Sequence, residues 1–371
     1  MKILLFGDFS FLHLTLKKGL EEMGHEILFV SDGEGRRNTK RDIDVARDLK
    51  YGKFGGLKVL WTLLRNASRL CGHDMVVLHW YQAVPLRGWL NVILLRYLKK
   101  YNRSMLLGCY FDDPQVVGMQ LKGVPRYSEM YWNGKPQNLE KHGIRLKQLI
   151  PECVSSWRKA VSMADVIIPC LYEYWAAYAV EPLLRRKLRY IPLPMVIPHD
   201  VEIKGRRAKI NVLVGVQSKR EYVKGAREIA KMVEEVARRN PGRIDIRYVE
   251  DVPYAEYCAM LAEADVQVDQ LYSFTPSMNS LAAMARGTVV IGGGEEEFYD
   301  FIGEKELRPI INVSPEKSFE DNVKAIETAI VPEGSVERLS RQGIEFVRKY
   351  HDYRKVAAMY AELYNKLIHN S

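Results

Sequence analysis

Ser218, Arg220 and Lys224 lie in one short run, GVQSKREYVKG over residues 215–225, between a β-branched stretch and a helix-forming one. A hydroxyl, a guanidinium and an ammonium at a strand exit suit a diphosphate, because they combine point charges with one bidentate fork. A solvated basic turn is the competing reading. Downstream, Ser277, Asn279 and Ser280 precede a run of small, strong helix formers, residues 281–285. A helix start there would offer free backbone N–H groups and a positive dipole end to an anion. Glu295 and Glu297 follow the glycine run 292–294. In the first half, Asp112-Asp113-Pro114 follows the apolar run 104–111, and His79 closes another, 74–80. A carboxylate or imidazole at a strand end can orient a hydroxyl or take its proton. Turn chemistry is the alternative for the two aspartates, and a buried, hydrogen-bonded ring is the alternative for His79.

The elements that must position these groups read as α/β. Residues 264–297 follow the grammar of a βαβ unit: strand over 266–271, polar loop, helix over 281–285 capped by Ser277 or Asn279, strand over 288–291, glycine loop. Taken alone, that unit need do no more than build a sheet. The chain opens with a strand over 2–6, the turn Gly7-Asp8-Phe9-Ser10-Phe11-Leu12-His13, a helix over 15–23 and a strand over 26–30. One glycine stands where a dinucleotide fingerprint wants three, so NAD is disfavoured. Strands are predicted over 74–80, 104–111, 164–170 and 188–194. Ligands gather outside the carboxyl ends of strands in such sheets, so His79, Asp112 and Asp113 are expected to face one cleft. Residues 115–150 show few regular signals and suit an insertion over that cleft. The proline-rich run 191–207 reads as a hinge. A second set follows: strands over 210–216 and 244–249, helices over 226–238 and 257–264, and two helices within 336–368 broken near His351-Asp352. The expected domains are 1–195 and 205–350, both Rossmann-like with parallel sheets, with a C-terminal helix over 353–371 crossing back to the first.

At 371 residues, two domains are expected on size alone. With 47% hydrophobic and 27% charged residues, the chain has a globular composition. Its five cysteines are dispersed, which predicts a reducing compartment and neither a disulfide framework nor a zinc site. The start, MKILLFGDFS, reads as a first strand rather than a signal peptide. No apolar run approaches the ~18 residues of a membrane span. The net charge of +9 is uneven, +11 over residues 1–200 and −2 over the remainder. Between residues 49 and 110 stand ten basic residues and one acid, Asp74. Basic region 50–103, with Trp, Leu and Ile at helical spacing, suits an anionic membrane surface; the alternative is a helix face over the sheet with its lysines in water. No nucleic-acid-binding motif accompanies the charge, and no metal-ligand cluster is apparent.

The order of elements resembles the GT-B architecture of nucleotide-sugar glycosyltransferases, and above all the large retaining family that builds bacterial surface polysaccharides. GVQSKREYVKG resembles that family's Gly…Arg…Lys-Gly segment, VEDVPYAEYCAMLAEADVQVDQ its base-binding loop and Ala-Asp-Val strand, and AAMARGTVVIGG its Glu-Ala-Met-Ala block. GDFSFLH and GHEILFVSDGEG resemble the openings of such enzymes. The chain departs from the family at the usual glutamate pair, where Phe274 and Ala282 stand, and has Tyr110-Phe111-Asp112-Asp113 where His-Asp is common.

The resemblance implies transfer of a sugar from a nucleotide-diphosphate donor to a glycan or lipid-linked acceptor, with retention, no cofactor and no metal. It implies that Ser218, Arg220, Lys224, Val252, Ser277, Asn279, Ser280, Glu295 and Glu297 bind the donor. On the same reading Asp8, Ser10 and His13 lie on the acceptor side, and Asp112, Asp113 and His79 are catalytic. The expected location is cytoplasmic, peripheral to the inner face of a membrane. The absent glutamates favour a second reading, a catalytically silent GT-B protein that binds a nucleotide or glycan or acts as a scaffold. An isomerase on the same fold is a third.

Overall fold

A computed structural model of the chain describes residues 1–33, 38–205, 208–218 and 221–369. Its strands are β1 (Lys2–Phe6), β2 (Glu26–Ser31), β3 (Ile43–Asp44), β4 (Met75–Leu78), β5 (Ser104–Cys109), β6 (Tyr131–Trp132), β7 (Lys135–Pro136), β8 (Val166–Pro169), β9 (Ile210–Val216), β10 (Ile244–Glu250), β11 (Val266–Val268), β12 (Val289–Gly292) and β13 (Ile310–Asn312). The chain packs as two compact units. One comprises Met1–Met119, His142–Pro194 and Tyr353–Ser371, the other Gln120–Lys141 and Met195–Asp352.

The first unit is built on a six-stranded sheet in the order β3-β2-β1-β4-β5-β8, every pair parallel. β4, β5 and β8 are buried along their whole length, as strands covered on both faces must be. On one face Leu4, Phe6, Val76, Leu78, Met105 and Leu107 share a core with Val59 of helix Gly55–Arg65, Leu95 and Leu98 of helix Gly88–Tyr101 and Trp157 of helix Pro151–Met163. The alternate residues, Ile3 and Leu5 among them, are equally buried on the other face. Helix Leu12–Glu22 packs along the C-terminal helix Tyr353–His369 so closely that a Cβ on Gly19 would come within 2.7 Å of the Ala357 Cβ.

The second unit has a five-stranded parallel sheet, β10-β9-β11-β12-β13. Helix Ala226–Arg239 buries Ile229, Val233 and Val236 against it, and helix Phe319–Ile330, capped by Ser318, buries Val323 and Ile326. Residues 120–141, which include the β6–β7 hairpin, pack with this unit.

Two expectations need correction. Residues 188–194 form no strand: Leu188 makes a single bridge to Ile167, and Pro192 and Pro194 have no N–H to extend the ladder. The strand expected over 266–271 ends at Val268, because Asp269 and Gln270 turn into a polar loop. All five cysteines are unpaired. Among the described residues no helix is long and apolar enough to cross a membrane.

Candidate functional site

In the first unit the turn after β1 is tightly wound. Gly7, Ser10 and Phe11 all adopt positive φ, at 80°, 51° and 64°. Gly7 is required there twice over, because a Cβ would sit 1.7 Å from His79 Nδ1. Asp8 is buried and accepts from the backbone N–H of Phe9 (2.8 Å) and of His13 (2.9 Å), which fixes the entry to helix Leu12–Glu22. His13, fully buried, donates Nδ1–H to the Gly7 carbonyl at 2.7 Å. Its Nε2 is left as a lone pair with no partner among the described residues. Burial, then the neighbouring His79, pull its pKa down to about 3, so the ring is neutral.

His79 lies one residue past β4, with Nδ1 3.2 Å from the Phe6 carbonyl. Past β5, the two aspartates separate in role. Asp113 is buried: one carboxylate oxygen accepts from the N–H of Gln115 and of Val116 (both 2.9 Å), the other from Tyr178 O–H (2.5 Å) and the Cys109 thiol (3.5 Å). It caps helix Pro114–Gln120, and burial pushes its pKa up to about 6. Asp112 is half-buried and bound by Arg145 at 2.7 Å. Rings join the three strand exits, with Phe9 5.4 Å and Trp80 5.6 Å from Phe111. Asp8, Ser10, His13, His79 and Asp112 thus share the carboxyl end of three adjacent strands, while both oxygens of Asp113 are taken by the fold.

In the second unit four of the expected donor residues converge on one carboxylate. Asp269, one residue past β11 and buried, accepts from Lys224 Nζ (3.2 Å), Asn279 Nδ2 (3.3 Å), Ser277 Oγ (3.2 Å) and Ser280 Oγ. Burial works against its ionisation, but Lys224 and the hydroxyl and amide donors outweigh it and hold the pKa below the usual carboxylate range. Lys224 is fixed by its backbone as well, since its carbonyl accepts from Leu271 N–H at 2.8 Å. Ser277 stands at the N-cap of helix Met278–Met284 without a side-chain capping bond, because its hydroxyl serves Asp269 and accepts from Gln270 Nε2 at 2.9 Å. Ser218 is exposed and hydrogen-bonded through both N–H and hydroxyl to Asp251. Val252 is half-buried in the loop after β10. Arg220 lies outside the described residues.

Glu295 and Glu297 meet a residue from segment 120–141. Arg126 donates to Glu295 (2.7 Å), to Glu297 (2.7 Å) and to Glu316. Glu297, partly desolvated, is held below the usual carboxylate range by this guanidinium. Tyr127 O–H donates to the other oxygen of Glu295 at 2.9 Å. Its ring stacks on Phe274, centroids 4.3 Å apart, and the Arg126 guanidinium lies 5.2 Å from the Phe274 ring. Ala282 is half-buried within helix Met278–Met284.

Asp269, Arg126 and Tyr127 are the groups sequence reasoning missed. Asp269 had a signal, an acid interrupting an apolar strand just before a serine- and asparagine-rich helix start. Arg126 and Tyr127 had none, because they reach Glu295 across about 170 residues of chain. Among the described residues no three His, Cys, Asp or Glu side chains gather as a metal site.

No protein-family model and no curated protein sequence matches the chain. Solved structures do match it in fold. The sucrose-phosphate synthase of Thermosynechococcus elongatus aligns with a TM-score of 0.58 at 14% identity, over all of both chains. Anabaena HepE, in complex with UDP and glucose, aligns at 0.59 and 11% identity, over 99% of this chain and 100% of that one. WaaG, a glycosyltransferase involved in lipopolysaccharide biosynthesis, aligns at 0.59 and 10% identity, over 98% and 99%. At such identities the likeness is one of fold. The chain has the GT-B architecture, two Rossmann-like units with parallel sheets and a C-terminal helix returning to the first.

Proposed function

We propose that this protein is a glycosyltransferase that moves a sugar from a nucleotide-diphosphate donor to a glycan or lipid-linked acceptor, in surface polysaccharide synthesis and with retention of configuration. The observation that carries the reading is the convergence of Lys224, Ser277, Asn279 and Ser280 at the carboxyl end of β11, in a chain whose whole length follows the GT-B fold. Lys224 and Arg220 would neutralise the diphosphate, and the loop around Val252 would take the base. On the acceptor side, Asp112 and His79 are the groups proposed to orient or deprotonate the attacking hydroxyl, with Asp8, Ser10 and His13 shaping the turn beside them. No metal or cofactor enters this reading, since two cationic side chains can stabilise the leaving diphosphate. Cytoplasmic location, peripheral to the inner face of a membrane, belongs to the same proposal.

The test is thermal stabilisation by a panel of nucleoside diphosphates and their sugars. A ligand at 100 times its Kd adds about 2.7 kcal/mol to stability. A shift from one base family, lost in Lys224→Ala and Arg220→Ala, is the expected result. Unchanged ligand response in both variants would defeat the donor-site assignment. Binding without turnover over a broad acceptor panel would favour the silent reading.

A further inference from the structure

Helix Gly55–Arg65 is apolar on both sides. Its inner side is ordinary: Val59 is fully buried in the core of the first unit, and Leu63 packs against that core. Its outer side is not. Phe54, Leu57, Trp61 and Leu64, spaced at three and four residues, form a single stripe along the helix, and Leu49 and Tyr51 are also exposed in the preceding turn, before a break in the helical backbone at Gly52. All six side chains are between 59% and 82% exposed. Single exposed apolar residues need no explanation, but a stripe of four with two more exposed just before it does.

The rim of the stripe is cationic. Lys50, Lys58 and Arg65 are exposed beside it, and the Arg65 guanidinium lies 5.1 Å from the Trp61 ring. No acidic residue occurs between positions 49 and 73; the acids near the element are Asp48, which caps its first turn, and Asp44, which faces Lys58. Helix Gly88–Tyr101, packed on the same core, also exposes Trp89, Ile93 and Tyr101, along with Arg96 and Lys100. A second copy of the chain set against this face would bring like charges together. An anionic bilayer complements both features, since aromatic and leucine side chains settle at headgroup depth while lysine and arginine meet lipid phosphates.

We propose that residues 49–65 are a membrane-docking element that lies in the interface plane of an anionic bilayer, with helix Gly88–Tyr101 as a secondary contact. This gives the peripheral location a surface and a lipid class. It rests on that location and not on the transfer chemistry.

The experiment is co-sedimentation of the full chain with phosphatidylcholine vesicles, with and without phosphatidylglycerol, at low and high salt. The intact protein is expected to bind only the anionic vesicles, and less well as salt rises. The pair Phe54→Ser/Leu64→Ser, at exposed positions where folding is spared, is expected to weaken binding at least about tenfold. The pair Lys58→Glu/Arg65→Glu is expected to abolish the preference for phosphatidylglycerol. Intact protein that stays in the supernatant, or serine variants that sediment like it, would overturn the proposal. So would a dimer by light scattering that the serine pair converts to monomer, because a second copy would then cover the stripe. Nucleotide-induced thermal shifts measured on the same preparations report separately on the donor site, so either reading can fail alone.

Discussion

Lys224 Nζ lies 3.2 Å from Asp269 Oδ1, and the carboxylate it meets is almost wholly buried. Taking two charges out of water is costly, and removing one partner leaves the other without compensation. Lys224→Ala is therefore expected to lower the unfolding free energy by about 3 kcal/mol in urea titrations, the low end for a broken buried pair because Ser277, Asn279 and Ser280 still donate. Adding Asp269→Asn should recover most of that loss. A double variant no more stable than the single one would show that lost packing, not the stranded charge, is responsible.

The stack of Tyr127 on Phe274 makes a second prediction. Tyr127→Phe keeps the ring and deletes the hydroxyl with its hydrogen bonds to Glu295 (2.9 Å) and to the Ser273 carbonyl (3.3 Å), at a cost of about 1–2 kcal/mol. Tyr127→Ala removes a fully buried ring and should cost about 3–5 kcal/mol. Phe274→Glu, which puts a carboxylate in place of the buried ring, should destabilise the second unit at least as much as Tyr127→Ala. That side chain would be buried under the Tyr127 ring, with the Arg126 guanidinium already shared among three glutamates. Chemical denaturation of the three variants gives the order directly.

Sequence made the two parallel sheets legible because their strands are short apolar runs with clear punctuation: 2–6 and 210–216 are found as read. It missed β3 and β13, which are two and three residues long and too short to show a period, and with them helix Phe319–Ile330. At the candidate site it named the donors Lys224, Ser277, Asn279 and Ser280 but not Asp269, which they surround, because local pattern shows residue type and not convergence in space. The same limit hid the attachment of 120–141 to the second unit, where Arg126 and Tyr127 engage Glu295.

Gly293 gives a purely steric prediction. A Cβ there would lie 1.6 Å from the Ser273 carbonyl oxygen, a backbone atom that cannot swing aside as a long side chain can. Gly293→Ala must displace either the glycine run or the loop that carries Phe274. The expected cost is about 3 kcal/mol, the upper end for overpacking. Gly303→Ala is the contrasting control. Its φ is +71° with no atom within 4 Å of the added methyl, so only conformational strain of about 1 kcal/mol is expected. Melting temperatures that fall equally for both would refute the steric account.

The pH dependence of stability is set in part by two buried groups of opposite sign. His13 has its folded pKa depressed from 6.5 to about 3, so its contribution is fully present above about pH 6.5. That contribution is lost as pH falls toward 3, by about 1.4 kcal/mol per unit. Asp113 has its folded pKa raised from 3.8 to about 6, so its contribution is present below 3.8 and is lost as pH rises through about 6. The total for Asp113 is about 3 kcal/mol. Between those two values the slopes cancel in the intact protein, and single substitutions should unmask them. In His13→Asn the advantage of the intact protein should shrink as pH falls. In Asp113→Asn it should shrink as pH rises, by about 3 kcal/mol between about pH 4 and about pH 7. Urea titrations of the three proteins across that range give both differences. Parallel curves for the intact protein and Asp113→Asn would mean that Asp113 stays ionised in the folded state, held by Tyr178 and its capping bonds.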